Sequence, residues 1–269
     1  MKTIQKLGNL LFAYFIAAIA LFHYKHQVAY MKPQSFPSLN EMAANLAVDL
    51  GSIEVVKWEL YDYNIYPTAG VNVLNFFNTG QGQGQSSADG SAAGAVKTQA
   101  DTNLTGAGVL PSPQAFWCEE IEVVAEPGSV ATANTFTKLA PSNFLAVPTA
   151  AGLPQAGEND INGILTTGFG QFTVSQKPYY QFAPLHRAPP STRVQIDMAV
   201  ASNSATTGAV IKAKAYATGE GLRLDPGVGI MTAQNFAVQL GWPFLVTTQS
   251  GFNARVGVIL SGWLFRGVQ

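Results

Sequence analysis

Residues 254–265 read ARVGVILSGWLF, and the alternation along them decides the fold class. Val256, Val258, Leu260 and Leu264 fall on one face of an extended chain, while Arg255, Ser261 and Trp263 fall on the other. A period of two belongs to a β-strand with one face toward a core, and this stretch is long enough to cross a whole sheet. The same period recurs upstream. Val194, Ile196, Met198 and Val200 alternate with Arg193, Gln195 and Asp197, which reads as a strand with one core face and one wet face. Ile211, Ala213 and Ala215 alternate with Lys212 and Lys214, and Phe236, Val238 and Leu240 with Ala237 and Gln239. In IEVVKWELY, residues 53–61, the apolar set runs Ile53, Val55 and then Val56, Trp58, Leu60. A β-bulge near Val55 would repair that one-residue slip. Further strands are expected in 71–77 and 120–125 and around 134–139 and 161–174. The total of roughly eight to ten strands with uneven loops suits two packed sheets, for which a jelly-roll β-sandwich is a standard solution.

Composition agrees with an all-β chain that hides much of its exterior. The 269 residues include 15 Lys plus Arg and 16 Asp plus Glu, so charged side chains make up 12%, about half the usual ~25%. Obligate interfaces are depleted in charge and resemble a core cut in half, and membrane proteins share the deficit. The net charge of -1 provides no basic field to gather phosphates, so strong nucleic-acid binding is not expected. The single cysteine, Cys118, excludes an intrachain disulfide, and beside Trp117 and Ile121 it reads as a buried small hydrophobe rather than a reactive thiol.

The first 51 residues read as an N-terminal helical arm, with 52–269 as the β domain. Residues 7–22, LGNLLFAYFIAAIALF, follow Lys2 and Lys6 and carry no charge. An apolar helix over 7–24 would be hidden on every side. A signal peptide shares this pattern, but no clear cleavage site follows. At ~1.5 Å per residue the 7–22 run reaches roughly 24 Å, short of the ~30 Å hydrocarbon core, so it could dip into a bilayer or pack in protein. Tyr14, Tyr24, Tyr30, Lys25 and His26 suit either boundary. His23 and His26 lack a third ligand nearby and read as a polar helix end. A second, amphipathic helix is expected over 39–50, opened by a capping box of Ser38 and Glu41 and stopped at Gly51.

Long loops are expected at 78–113 and 140–160. The first opens with NTGQGQGQSSADGSAAG, small and polar, with little to bury, and reads as exposed or ordered by a partner. Its glycines lack the Gly-Lys-Ser/Thr ending of a phosphate loop.

No G-x-S-x-G, H-E-x-x-H or C-x-x-C pattern occurs. A catalytic triad would rest on His186 alone, in the proline-rich APLHRAPP, and a loop histidine without a visible partner is more often structural. Glu119, Glu120, Glu122 and Glu126 form an acidic cluster in which Glu120 and Glu122 share a strand face opposite Ile121 and Val123. Two carboxylates there could bind Ca²⁺ or flank a sugar bond, though an ordinary solvent face explains them as well. No catalytic, metal or cofactor site is therefore assigned. The residues singled out are interface candidates: Trp263 and Phe265 on the outward face of the last strand, and Phe12, Phe15 and Ile19 in the apolar arm.

Residues 184–269 carry a resemblance. APLHRAPPSTRVQIDMAV, GEGLRLDPGVGI, NFAVQLGWP and ARVGVILSGWLFRGVQ, behind a helical arm, resemble the closing half of jelly-roll capsid proteins of tailless icosahedral bacterial viruses, some of which enclose a membrane. The resemblance lies in texture and layout, without a diagnostic short motif. It implies a self-assembling major capsid protein in a virion, often trimeric, with the arm facing inward. Its partners would be copies of itself, neighbouring virion proteins and, through 7–24, lipid. The length of 52–269 suits one jelly roll better than two. The alternative from a different class is a membrane-anchored or secreted β-sandwich that binds carbohydrate or another surface ligand. A hydrolase built on His186 or the glutamates, and an outer-membrane barrel, are further alternatives.

Overall fold

The computed structural model describes residues 36–47, 49–87, 95–126, 128–129, 137–138, 153–190, 192–203, 206–217, 221–249, 251 and 253–267. The chain divides into two compact units, Met1–Pro37 and Ser38–Gln269, and every element below belongs to the second. The apolar stretch 7–24, with Phe12, Phe15, Ile19, His23 and His26, lies outside the described residues. The elements run in the order α1 (Leu39–Leu46), β1 (Ile53–Tyr66), β2 (Val73–Phe76), β3 (Gln114–Glu126), β4 (Gly128–Ser129), β5 (Thr137–Lys138), α2 (Leu153–Thr167), β6 (Phe169–Val174), β7 (Lys177–Phe182), β8 (Thr192–Asn203), β9 (Thr206–Ala217), β10 (Leu222–Ile230), β11 (Phe236–Gly241) and β12 (Ala254–Gly267).

Eight of the strands form two antiparallel sheets. The larger has the order β1-β12-β3-β10 and the smaller β2-β11-β6-β7. One hydrophobic core lies between them. Leu60, Phe116, Val258 and Leu260 enter it from the large sheet, Phe76, Phe172, Val238 and Leu240 from the small one. The alternation expected in β11 and β12 is therefore observed, with Val256, Val258, Leu260, Phe236, Val238 and Leu240 all buried. The far face of β12 differs from expectation. Arg255, Ser261 and Phe265 are also buried, because β12 is a central strand covered on both sides.

That second cover explains the phase slip in β1. β1 pairs with β12 without interruption from Ile53↔Gly267 to Tyr66↔Ala254, so there is no bulge near Val55. Val56 and Leu60 pack on the intersheet core, whereas Ile53 and Val55 pack with α1 on the opposite face. An apolar residue on each face reads as a slip when only one face is assumed to be dry. The irregularity sits instead in β3, where Glu120 pairs with Ser261 and Cys118 with Gly262, leaving Glu119 extra. Gly262 is required there, since a Cβ would fall 1.9 Å from the Trp117 carbonyl oxygen.

Helix α1 is shorter than the expected 39–50 and belongs to the β unit. Ser38 Oγ accepts the Glu41 amide at 3.3 Å and Glu41 accepts the Ser38 amide at 2.9 Å, completing the capping box. Ala47, at φ 53, ends the helix in the left-handed conformation before Gly51 is reached. Met42 and Leu46 are buried with Ala115, Trp117 and Phe265. An eight-residue helix is marginal alone and gains its stability from such packing.

Three other expectations change. Helix α2 replaces the second half of the 140–160 loop and the start of the strand expected at 161–174. Asp160 and Ile164, one turn apart, are buried, and the Trp242 indole donates to the Ile164 carbonyl at 2.9 Å. The strand at 193–200 forms, but it pairs only with β9, from Thr192↔Ala217 to Asn203↔Thr206, in a ribbon separate from both sheets. The short β4 and β5 pair in the same way near the segment expected at 134–139.

Candidate assembly surface and buried polar clamp

The outer face of the small sheet is built by register. Gln239 of β11 pairs with Asn75 of β2 on one side and Gln171 of β6 on the other, and Gln171 pairs with Gln181 of β7. Four amides thus cross four strands in one row. Gln239 Nε2 donates to Asn75 Oδ1 at 3.0 Å, and Gln181 Nε2 donates to Gln171 Oε1 at 3.2 Å. One row further along, Val73, Gly241 and Phe169 align. The Phe169 ring lies over Gly241, where a Cβ would fall 2.4 Å from it. Val73, Phe169 and Tyr179 are each more than two-fifths exposed, and Phe244 and Leu245, just beyond β11, are more than half exposed. The outward positions of β2, β11 and β6 carry no charged side chain. Lys177, at the start of β7, lies 5.4 Å from the Tyr179 ring centroid.

The corresponding face of the large sheet is spoken for within the chain. Phe265, an interface candidate from the sequence, is fully buried beneath α1. It lies on the face of β12 opposite the intersheet core, where α1 covers it. Trp263 is partly exposed and packs beside the same cluster, with the Lys57 ammonium 5.6 Å from its ring centroid.

The described parts of the 78–113 loop are folded against the sandwich rather than exposed throughout. Ser86, Ser87, Lys97, Asp101 and Thr102 are all buried. Asp101 accepts hydrogen bonds from the Ser86 hydroxyl, the Ser87 amide and hydroxyl, and the Thr98 amide, at 2.7–3.0 Å. The loop backbone pairs along the free edge of β1, with Tyr63 donating to the Asp101 carbonyl at 2.8 Å. Arg255 closes the arrangement. It donates to Ser87 Oγ at 3.0 Å, the Ala100 carbonyl at 2.7 Å and Glu126 at 3.4 Å. A polar loop cannot bury apolar surface, so hydrogen bonds and ion pairs tie it down. Lys97 completes the clamp by reaching Asp62 in the middle of β1, at 2.6 Å. Burial pushes the Asp62 carboxyl above the usual carboxylate range, against the pull of Lys97.

The sequence's chemical candidates do not converge. His186 is exposed in a single 3₁₀ turn, Leu185–Arg187. Glu120 and Glu122 do share the face opposite buried Ile121 and Val123, but Glu122 is itself buried. Glu119 reaches Lys57 at 3.4 Å, and Glu126 reaches Arg255. Among the described residues no three His, Cys, Asp or Glu side chains converge as metal ligands would. Cys118 is buried, its thiol pushed far up by desolvation and donating to the Glu120 carbonyl at 3.4 Å. Among the described residues no helix is long and apolar enough to cross a membrane.

Neither the amide row nor the clamp was found from sequence. Alternation put Gln239 outward, but only cross-strand register shows that it joins Asn75, Gln171 and Gln181. The chain is thus a two-sheet antiparallel β-sandwich with an amide-rich, partly aromatic sheet face that carries no charge on β2, β11 and β6. No family model, curated protein or solved structure matches it.

Proposed function

We propose that this protein is a structural, self-assembling shell protein, the major capsid protein of an icosahedral virion, with a single jelly-roll domain. The observation that carries the reading is the outer face of the small sheet, whose outward positions on β2, β11 and β6 carry no charge and present a row of amides. A row of amides can pair with the same row on another copy, each group being both donor and acceptor. Val73, Phe169, Tyr179, Phe244 and Leu245 supply apolar area around it. Isologous or ring-forming contacts of this kind, repeated by symmetry, build closed shells.

Topology supports the jelly-roll part. A jelly roll results when an eight-stranded antiparallel hairpin, nested first with last through to the central pair, curls into two sheets. With the two small ribbons set aside, the nested pairs would be β1 with β12, β2 with β11, β3 with β10 and β6 with β7. All four are neighbours in the sheets. The remaining contacts, β12 with β3 and β11 with β6, are those the curl creates. Low charge content and the resemblance of 184–269 to viral shell proteins point the same way. In this reading residues 1–36 are an inward arm that meets lipid or neighbouring protein.

Light scattering on the size-separated native protein, with negative-stain electron microscopy of the same fractions, tests the proposal. Closed particles or symmetric capsomers are expected. Gln239→Lys, placing a charge in the amide row, is expected to leave the monomer folded and stop assembly, and deletion of 1–36 to impair it. A wild-type protein that stays monomeric at all concentrations would overturn the reading.

A second reading, a β-sandwich that binds carbohydrate, draws on a shallow cavity of 330 Å³ lined by Phe169, Gln171, Gln181, Phe182 and Arg187. Aromatic rings beside amides and a guanidinium suit sugar hydroxyls. Saturable glycan binding by a monomer that does not assemble would favour it.

A further inference from the structure

We infer that Lys97 and Asp62 condense into an intramolecular isopeptide bond that fastens the 78–113 segment to the edge strand β1. Lysine is almost never fully buried, yet the Lys97 side chain is 2% exposed and the Asp62 side chain 0%, with Nζ 2.6 Å from Oδ1. The second oxygen, Oδ2, accepts the Phe77 amide at 2.6 Å. Phe77 takes φ 67, a conformation that bulky residues rarely adopt and that marks a position imposed by its surroundings. The backbones that carry the two side chains are held as well. Lys97 donates its amide to Gln83 and accepts from Gly82, and Asp62 bridges to Thr102. The amine and the carboxyl are thereby held together, and such confinement replaces a bimolecular encounter by an intramolecular one.

The chemistry follows from desolvation. A dry ammonium–carboxylate pair loses most of its solvation, and one response is proton transfer to give a neutral pair. Burial raises the Asp62 carboxyl in that direction. Lys97 passes a proton to Oδ1, and the freed Nζ lone pair attacks Cγ. The C–N bond forms, the Cγ–Oδ1 bond breaks, and Oδ1 leaves as water, taking the second proton from Nζ. Oδ2 remains as the amide carbonyl and keeps its hydrogen bond from Phe77, which also stabilises negative charge on that oxygen during attack. Ammonium plus carboxylate becomes amide plus water, with no oxidant or cofactor. The product removes two buried charges and closes a covalent loop in a chain whose one cysteine excludes an intrachain disulfide. This inference is independent of the assembly reading.

The test is the intact mass of the full-length wild-type chain under denaturing conditions, followed by proteolytic mapping. The expected mass is one water below that of the sequence, with a branched peptide joining the segments that contain Asp62 and Lys97. Lys97→Arg and Asp62→Ala are expected at their full sequence masses. A wild-type chain at full mass overturns the inference. So does a water loss that maps to Asp89-Gly90, where a cyclic imide would give the same mass change.

Discussion

The guanidinium of Arg255 lies over the Tyr63 ring, its central carbon 3.9 Å from the ring centroid. Tyr63 in turn fills the space above Gly257, where a Cβ would fall 2.2 Å from the ring. One side chain therefore joins β12, β1, β3 and the 78–113 loop, through Tyr63, Glu126, Ser87 and Ala100.

Removing that junction takes a hydrogen bond from Ser87, Ala100 and Glu126 and the cation from the Tyr63 ring. Arg255→Ala is expected to destabilise the fold by about 2–4 kcal/mol, and Arg255→Lys to recover less than half, because an ammonium lacks the planar fork. Urea unfolding of the variants checks this. A loss below about 0.5 kcal/mol, the range of ordinary surface changes, would mean that the clamp contributes little.

Phe265 and Phe244 separate core from surface. Phe265→Ala is expected to cost about 3–5 kcal/mol and to release α1, whereas Phe244→Ala, at a position 57% exposed, is expected within about 0.5 kcal/mol. Unfolding midpoints combined with hydrogen exchange over 39–46 resolve the two effects. Equal costs at both positions would contradict the burial of Phe265.

The cap of α1 is a smaller, local test. Ser38→Ala removes the acceptor for the Glu41 amide and is expected to cost about 1 kcal/mol. Ser38→Asp is expected to restore most of it, since aspartate caps equally well. Failure of the aspartate to recover stability would place the role of Ser38 elsewhere.

Alkaline pH is expected to weaken the fold. Desolvation raises Cys118 above the ordinary thiol value of 9.0, and raises Tyr63 and Tyr66 above the phenolic 10.0, with Arg255 partly opposing at Tyr63. These groups keep their protons in the folded state after the unfolded chain has lost them. Their contribution is complete below the unfolded values and is lost as pH rises through the folded ones. Denaturant midpoints across this range should fall above pH 9, less so in Cys118→Ala. A flat profile would show that the three groups are solvated in the folded protein.

Several elements were already determined by the sequence. The apolar alternation of β11 and β12, the capping box of Ser38 and Glu41, and the buried character of Cys118 are local or nearly local properties. A period of two, a three-residue cap or a small apolar side chain needs no knowledge of distant neighbours. What only the tertiary structure decided depends on which segment lies on which. Val55 reads as a phase slip and Phe265 as outward until α1 is seen to cover both. The 153–167 segment reads as loop up to 160 and as strand beyond it, because its glycines and asparagines dilute the helical pattern, and it becomes a helix with Ile164 buried and its carbonyl paired to Trp242. Asn75, Gln171, Gln181 and Gln239 are unremarkable singly and form a row only through cross-strand register. Lys97 and Asp62, 35 residues apart, meet only because a polar loop folds back along a strand edge. Burial of a charge is a property of its surroundings, which no local pattern encodes.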